Sequence, residues 1–106
     1  MGFQTLISGH NYDVLPSQFQ VYADQSGLIS RLPTRLSKKI ELANWAATLF
    51  ETGTQYTEKE VNEIIGQFIL DFALIRRMLV NSGQLVRDRY GKQYIKPITE
   101  QTPVQV

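Results

Sequence analysis

Six side chains between positions 76 and 92 hold most of the chemistry this chain could perform: Arg76, Arg77, Asn81, Arg87, Arg89 and Lys92. Arginine can donate to guanine O6 and N7 together, or grip a phosphate with its fork of N–H groups. Asparagine can do the same for adenine N6 and N7. Lysine adds a compact charge for phosphate. Together they suit a nucleic-acid contact surface. Each also has a plainer reading. Arg77 can be an exposed helix arginine with no partner, and Asn81 can cap a helix C-terminus. Arg87, Arg89 and Lys92 can simply guard an edge strand against aggregation.

Charge placement favours the first reading. The 106 residues carry a formal net charge of +1, which alone says nothing about a polyanion. From Ser37 to Leu70 three lysines (Lys38, Lys39, Lys59) face five glutamates (Glu41, Glu51, Glu58, Glu60, Glu63). From Asp71 to Lys96 six basic residues face only Asp71 and Asp88. The C-terminal third is therefore the basic part, and a basic patch is the electrostatic footprint of nucleic-acid binding.

Other chemistry has little to work with. Cysteine is absent, so disulfides, thiolate nucleophiles and Cys-type zinc sites are excluded together. His10 is the single histidine, in an expected loop, so no triad or His-rich metal site can form. Neither GxGxxG nor a P-loop occurs. The expectation is a non-enzymatic, cofactor-free and metal-free protein. Without a signal-peptide pattern or an apolar run near the ~18 residues of a membrane helix, the expected compartment is the cytoplasm and no membrane partner is expected.

The elements that must position the six residues follow from local signals. Thr57-Glu58-Lys59-Glu60 matches a capping box. The Thr57 hydroxyl can accept from the Glu60 N–H while the Glu60 carboxylate reaches back to Thr57. Val61, Ile64, Ile65 and Phe68 then fall at i, i+3, i+4 and i+7, giving a helix over Thr57–Phe68. Gly66 costs that helix about 1 kcal/mol relative to alanine. A second helix runs from Asp71 to Ser82 and is closed by Gly83. With Phe72 at zero and 100° per residue, its apolar arc (Leu74, Ile75, Met78, Leu79) centres near 300°. Arg77 and Asn81 face away from that arc, and Arg76 lies on its border, in reach of Glu60 or Glu63. Leu85–Lys96 reads as a strand, a Tyr90-Gly91 turn and a return strand. Tyr56, Tyr90 and Tyr94 could stack on bases, with Tyr94, beside Ile95, read instead as core.

Upstream, Ser37–Glu51 is a helix apolar on two sides, with Ile40, Ala43, Ala47 and Phe50 on one stripe and Leu42, Trp45, Ala46 and Leu49 on the other. Ser17–Ala23 can start a short helix after Pro16, and Asp24-Gln25-Ser26-Gly27 is a turn. Leu28–Leu32 reads as a short strand that must join the hairpin. Met1–Pro16 has no period and reads as loop or arm, and Pro97–Val106 as a tail.

The run Tyr56-Thr57-Glu58-Lys59-Glu60-Val61-Asn62-Glu63-Ile64-Ile65 resembles the opening motif of the bacterial domain of unknown function 2087 family. The similarity continues through Asp71, Leu74 to Arg77, Leu79, Gly83, Leu85, Arg87, Gly91 and Tyr94. Upstream it takes in Gly27-Leu28, Leu32-Pro33 and Lys38-Lys39. The resemblance implies a winged-helix-like fold that occurs alone or joined to transcription-regulator domains. It implies no reaction and no ligand.

The expected architecture is α+β: a winged helix-turn-helix with a three-helix core, a small antiparallel β-hairpin wing and an N-terminal extension. Residues 1–18 form the arm, 19–96 the domain and 97–106 the tail. Trp45, Phe50, Val61, Ile64, Ile65, Phe68, Phe72, Ile75, Leu79 and Leu85 should form the core. The expected function is a small transcriptional regulator binding DNA through Asp71–Asn81 and the wing. Specificity would then need a homodimer or a regulatory protein partner, because a single recognition helix binds weakly. Glu58, Glu60 and Glu63 oppose this reading, since a helix that crosses near the DNA backbone should not carry exposed carboxylates. The alternative is a protein-interaction or dimerisation module of the same fold, using an apolar patch from Leu74, Met78 and Val80.

Overall fold

A computed structural model describes residues 14–98. His10, most of the expected arm and the tail beyond Ile98 lie outside the described residues. The described chain is α+β, with four helices and three short strands: α1 (Ser17–Gln20), α2 (Leu36–Ala47), β1 (Gln55–Thr57), α3 (Glu58–Gly66), α4 (Phe72–Asn81), β2 (Val86–Arg87) and β3 (Gln93–Ile95). None of these helices is long and apolar enough to cross a membrane.

The capping box forms as the sequence requires. The Glu60 N–H donates to the Thr57 hydroxyl at 3.1 Å, and the Thr57 N–H donates to Glu60 Oε1 at 2.8 Å. With two orphan donors satisfied, α3 starts at Glu58. Asp71 caps α4 by accepting from the Leu74 N–H at 3.2 Å.

Helix α2 stops at Ala47, four residues before the expected end. Lys96 supplies the reason. Its ammonium donates to the Ala47 carbonyl at 3.0 Å and to the Phe50 carbonyl at 3.3 Å. A cation at a helix C-terminus satisfies orphan carbonyls and the dipole together. The Thr48 hydroxyl also takes the Trp45 carbonyl, at 2.6 Å. Gly53, at φ 83°, then turns the chain so that its N–H donates to the Lys96 carbonyl at 2.8 Å.

That turn delivers β1, which the sequence reading missed. Three residues are too few to show a period, and β1 exists through its pairing. The antiparallel sheet has the order β1-β3-β2, with Tyr56 opposite Tyr94 and Arg87 opposite Tyr94. The expected strand Leu28–Leu32 does not join it. Within Leu28–Leu32 only Ile29 pairs, antiparallel with Ala23 across the 24–27 turn and parallel with Ile69 of the α3–α4 connection. The Ile29 N–H donates to the Phe68 carbonyl at 2.7 Å, and its carbonyl accepts from the Leu70 N–H at 2.9 Å. The backbone freed where α3 ends is thus satisfied by a segment distant in sequence.

The core gathers Leu42, Ala43 and Ala46 of α2, Val61 and Ile65 of α3, and Ile75 and Leu79 of α4, with Phe50, Phe68, Leu85 and Tyr94. Trp45, Ile64 and Phe72 are half-buried against it. Ile40, placed on an apolar stripe by spacing, is 44% exposed. Leu15 and Phe19 reach the core from the N-terminal side, each only 2% exposed.

Candidate nucleic-acid interface

Ile75 and Leu79 fix the rotation of α4, because both are fully buried. A helix anchored on those two must turn the side 180° away to solvent. Arg77 and Asn81, one turn apart, are accordingly exposed. Asn81 does not cap α4. The C-cap is Ser82, and Gly83 takes the left-handed conformation at φ 83° that ends the helix. The Ser82 hydroxyl donates to the Leu79 carbonyl at 3.2 Å, so the amide of Asn81 is left facing outward.

Arg76 goes the other way. Its side chain is only 17% exposed, lies 3.8 Å from the Glu58 carboxylate, and donates to Asn62 Oδ1. The expected partners, Glu60 and Glu63, are not the observed ones. Glu60 is held by its capping bond to Thr57. Counting 100° per residue, Glu58 and Asn62 share a stripe with buried Ile65, the stripe that faces α4, whereas Glu60 and Glu63 lie well round the helix. The same count applied to α3 separates Glu58 and Asn62 from Glu60 and Glu63, and the packing of α3 on α4 then makes the pair.

Glu58 also accepts a 2.8 Å hydrogen bond from the Tyr94 hydroxyl. Burial and then this bond push the Tyr94 phenol above its ordinary range, and a hydrogen bond to Arg87 acts against them. Of the three acids expected to repel phosphates, Glu58 is thus committed to Arg76 and Tyr94, Glu60 to its cap, and Glu63 stays exposed.

The hairpin reverses through a longer loop than the Tyr-Gly pair suggested. The Asp88 N–H donates to the Gln93 carbonyl at 2.9 Å, and the Gly91 N–H donates to the Asp88 carbonyl at 3.0 Å. Gly91 has φ 73°, the conformation glycine adopts at no steric cost. The Lys92 N–H donates to Asp88 Oδ1 at 2.8 Å, and this bond is the main cause holding the Asp88 carboxyl below its usual range. Asp at the first position of a turn was the signal for this loop. The Arg87 side chain folds over the loop, and a β-carbon added at Gly91 would sit 3.6 Å from Arg87 Nε.

A groove of about 630 Å³ lies between α4 and the hairpin. Arg76, Arg77, Asn81, Arg87 and Arg89 all line it, with Tyr94 among its walls. Five of the six expected residues therefore converge on one concavity. Lys92 does not line it, and sits exposed in the hairpin loop. Asp88 is the one acid in the lining, and its carboxylate accepts from the Lys92 N–H of its own loop; no acid forms an ion pair with Arg77, Arg87 or Arg89 among the described residues. Guanidiniums without an acidic partner around a concave surface focus positive potential and can take phosphates in the bidentate geometry. Leu74, Met78 and Val80 do not form an exposed apolar patch. All three are half-buried, with Met78 and Val80 packed on the core.

Among curated proteins no match is found, and none among solved structures. One family model matches residues 28–96, a span that holds the groove, both capped helices and the whole sheet. The chain belongs to that family, described as an uncharacterized protein conserved in bacteria (DUF2087).

Proposed function

We propose that this protein is a non-enzymatic, cytoplasmic winged-helix regulator that binds DNA through α4 and the β2–β3 hairpin. The order α2, β1, α3, α4, β2, β3, with β3 between β1 and β2, is compatible with a winged helix-turn-helix, and it supports this reading. In that frame residues 19–96 are the domain, with Leu15 and the start of α1 packing onto its core from the segment before it. Helix α4 is the recognition helix and the hairpin the wing.

The observation that carries the reading is the convergence of Arg77, Arg87 and Arg89, from two elements, on one groove without acidic partners. Arg77 and Asn81 would read base edges, and Arg87 and Arg89 would hold the flanking phosphates. Lys92 would add a backbone contact from the hairpin loop. Arg76 would act from behind, holding α4 against α3.

Fluorescence anisotropy of a labelled random duplex at two salt concentrations tests the proposal. Binding should weaken steeply with salt, as counterion release requires. Absence of binding at about 100 μM, within the ~10⁻⁴–10⁻⁶ M range of non-specific binders, would refute it.

A further inference from the structure

A second cavity, of about 870 Å³, shares no residue with the α4 groove. It forms where the 21–24 turn, the 30–35 segment and the first turn of α2 meet. Its volume suits a small organic molecule, for which pockets of about 300–1,000 Å³ are typical. Tyr22, Leu32 and Pro33 give it apolar wall, and Arg31, Arg35 and Lys38 bring three cations to its lining.

The charge there is unbalanced. Asp24 is the one acid in the lining, and its carboxylate is turned onto its own loop. It accepts from the Ser26 N–H at 2.9 Å, the Ser26 hydroxyl at 2.6 Å and the Leu28 N–H at 3.1 Å. Lys38 lies 3.5 Å from Glu41. Arg31 and Arg35 have no ion pair or side-chain hydrogen bond among the described residues. Both guanidiniums are exposed and border one open concavity, beside apolar wall. Arginine forks match phosphate oxygens bidentately.

We propose that this cavity binds a small organic molecule carrying a phosphate group. Arg31 and Arg35 take the phosphate, Lys38 adds charge, and Tyr22, Leu32 and Pro33 pack the organic part. The site is separate from the α4 groove and does not depend on DNA binding.

The test is an amide NMR titration of the full chain with inorganic pyrophosphate as probe. Saturable shifts are expected at residues 21–24 and 30–38. The Arg31→Ala/Arg35→Ala double variant should weaken that binding about tenfold or more. Both side chains are exposed, and an unchanged far-UV spectrum and Tm would establish that the variant is folded. Arg77→Ala should leave the pyrophosphate shifts at residues 21–24 and 30–38 as they are, which separates this site from the groove. No shift at about 10 mM pyrophosphate, equal affinity in the double variant, or shifts confined to the α4 groove would overturn the proposal. So would movement of these amides by duplex DNA and not by pyrophosphate, which would mark a backbone contact instead.

Discussion

The Tyr94 hydroxyl donates a 2.8 Å hydrogen bond to Glu58 across 36 positions of sequence, tying the central strand of the sheet to the first turn of α3. Glu58 also lies beside Arg76 of α4. One carboxylate therefore joins the hairpin, α3 and α4, the three elements whose mutual placement shapes the groove. A hydrogen bond to a charged group contributes about 1.5–3 kcal/mol, more than a neutral pair. Tyr94→Phe is expected to lose roughly that amount in urea unfolding while keeping the ring in the core. An unchanged urea midpoint would show the bond to be energetically idle.

The same bond has a pH signature. Burial and Glu58 hold the Tyr94 phenol above its ordinary 10.0 in the folded state. Its contribution is complete below that value and is lost as pH rises through the higher folded one. Phenolate absorbance, compared between the wild type and Tyr94→Phe, should assign to Tyr94 a midpoint above 10.0. A midpoint at or below 10.0 would count against it.

The two adjacent arginines of α4 should separate cleanly. Arg77 is exposed and Arg76 is enclosed. Arg77→Ala is expected to weaken DNA binding by about 1–3 kcal/mol if it reads a base, with Tm unchanged. Arg76→Ala should instead lower Tm, since it leaves Glu58 and Asn62 without their shared partner. Paired anisotropy and thermal melts on both variants decide it, and a drop in Tm for Arg77→Ala alone would reverse the assignment.

Gly66 offers a stabilising change. It lies within α3, and a β-carbon there would meet the Phe72 ring at 3.4 Å, an ordinary contact. Gly66→Ala should therefore raise stability by about 0.5–1 kcal/mol through helix propensity and a less flexible unfolded chain. A lower denaturation midpoint would mean that the Phe72 ring cannot give way.

Acid should loosen two turns. The Asp24 carboxyl is held below its ordinary 3.8 first by the Ser26 hydroxyl and then by the Leu28 N–H. Asp88 is held down mainly by the Lys92 N–H. A depressed carboxyl contributes above 3.8, and the contribution disappears as pH falls through the lowered value. Carboxyl carbon NMR should place both midpoints under 3.8, and ordinary midpoints would refute the turn geometry.

Local signals were enough to place the helices and the outward face of α4, though not where α2 ends. Thr57 to Glu60 specifies a cap because every partner lies within four residues, and the 3.6-residue period of Phe72 to Leu79 puts Arg77 and Asn81 outside. Asp24 to Gly27 likewise writes its own turn. What the chain alone left open depends on partners far away in sequence. The end of α2 is set by Lys96, the strand β1 exists only through its pairing with β3, and Ile29 pairs with Ile69 rather than with the hairpin. Arg76 and Glu58 are brought together only when α3 packs against α4. Backbone groups and charges must be satisfied wherever folding takes them out of water, and tertiary packing alone decides which distant group is close enough to do it.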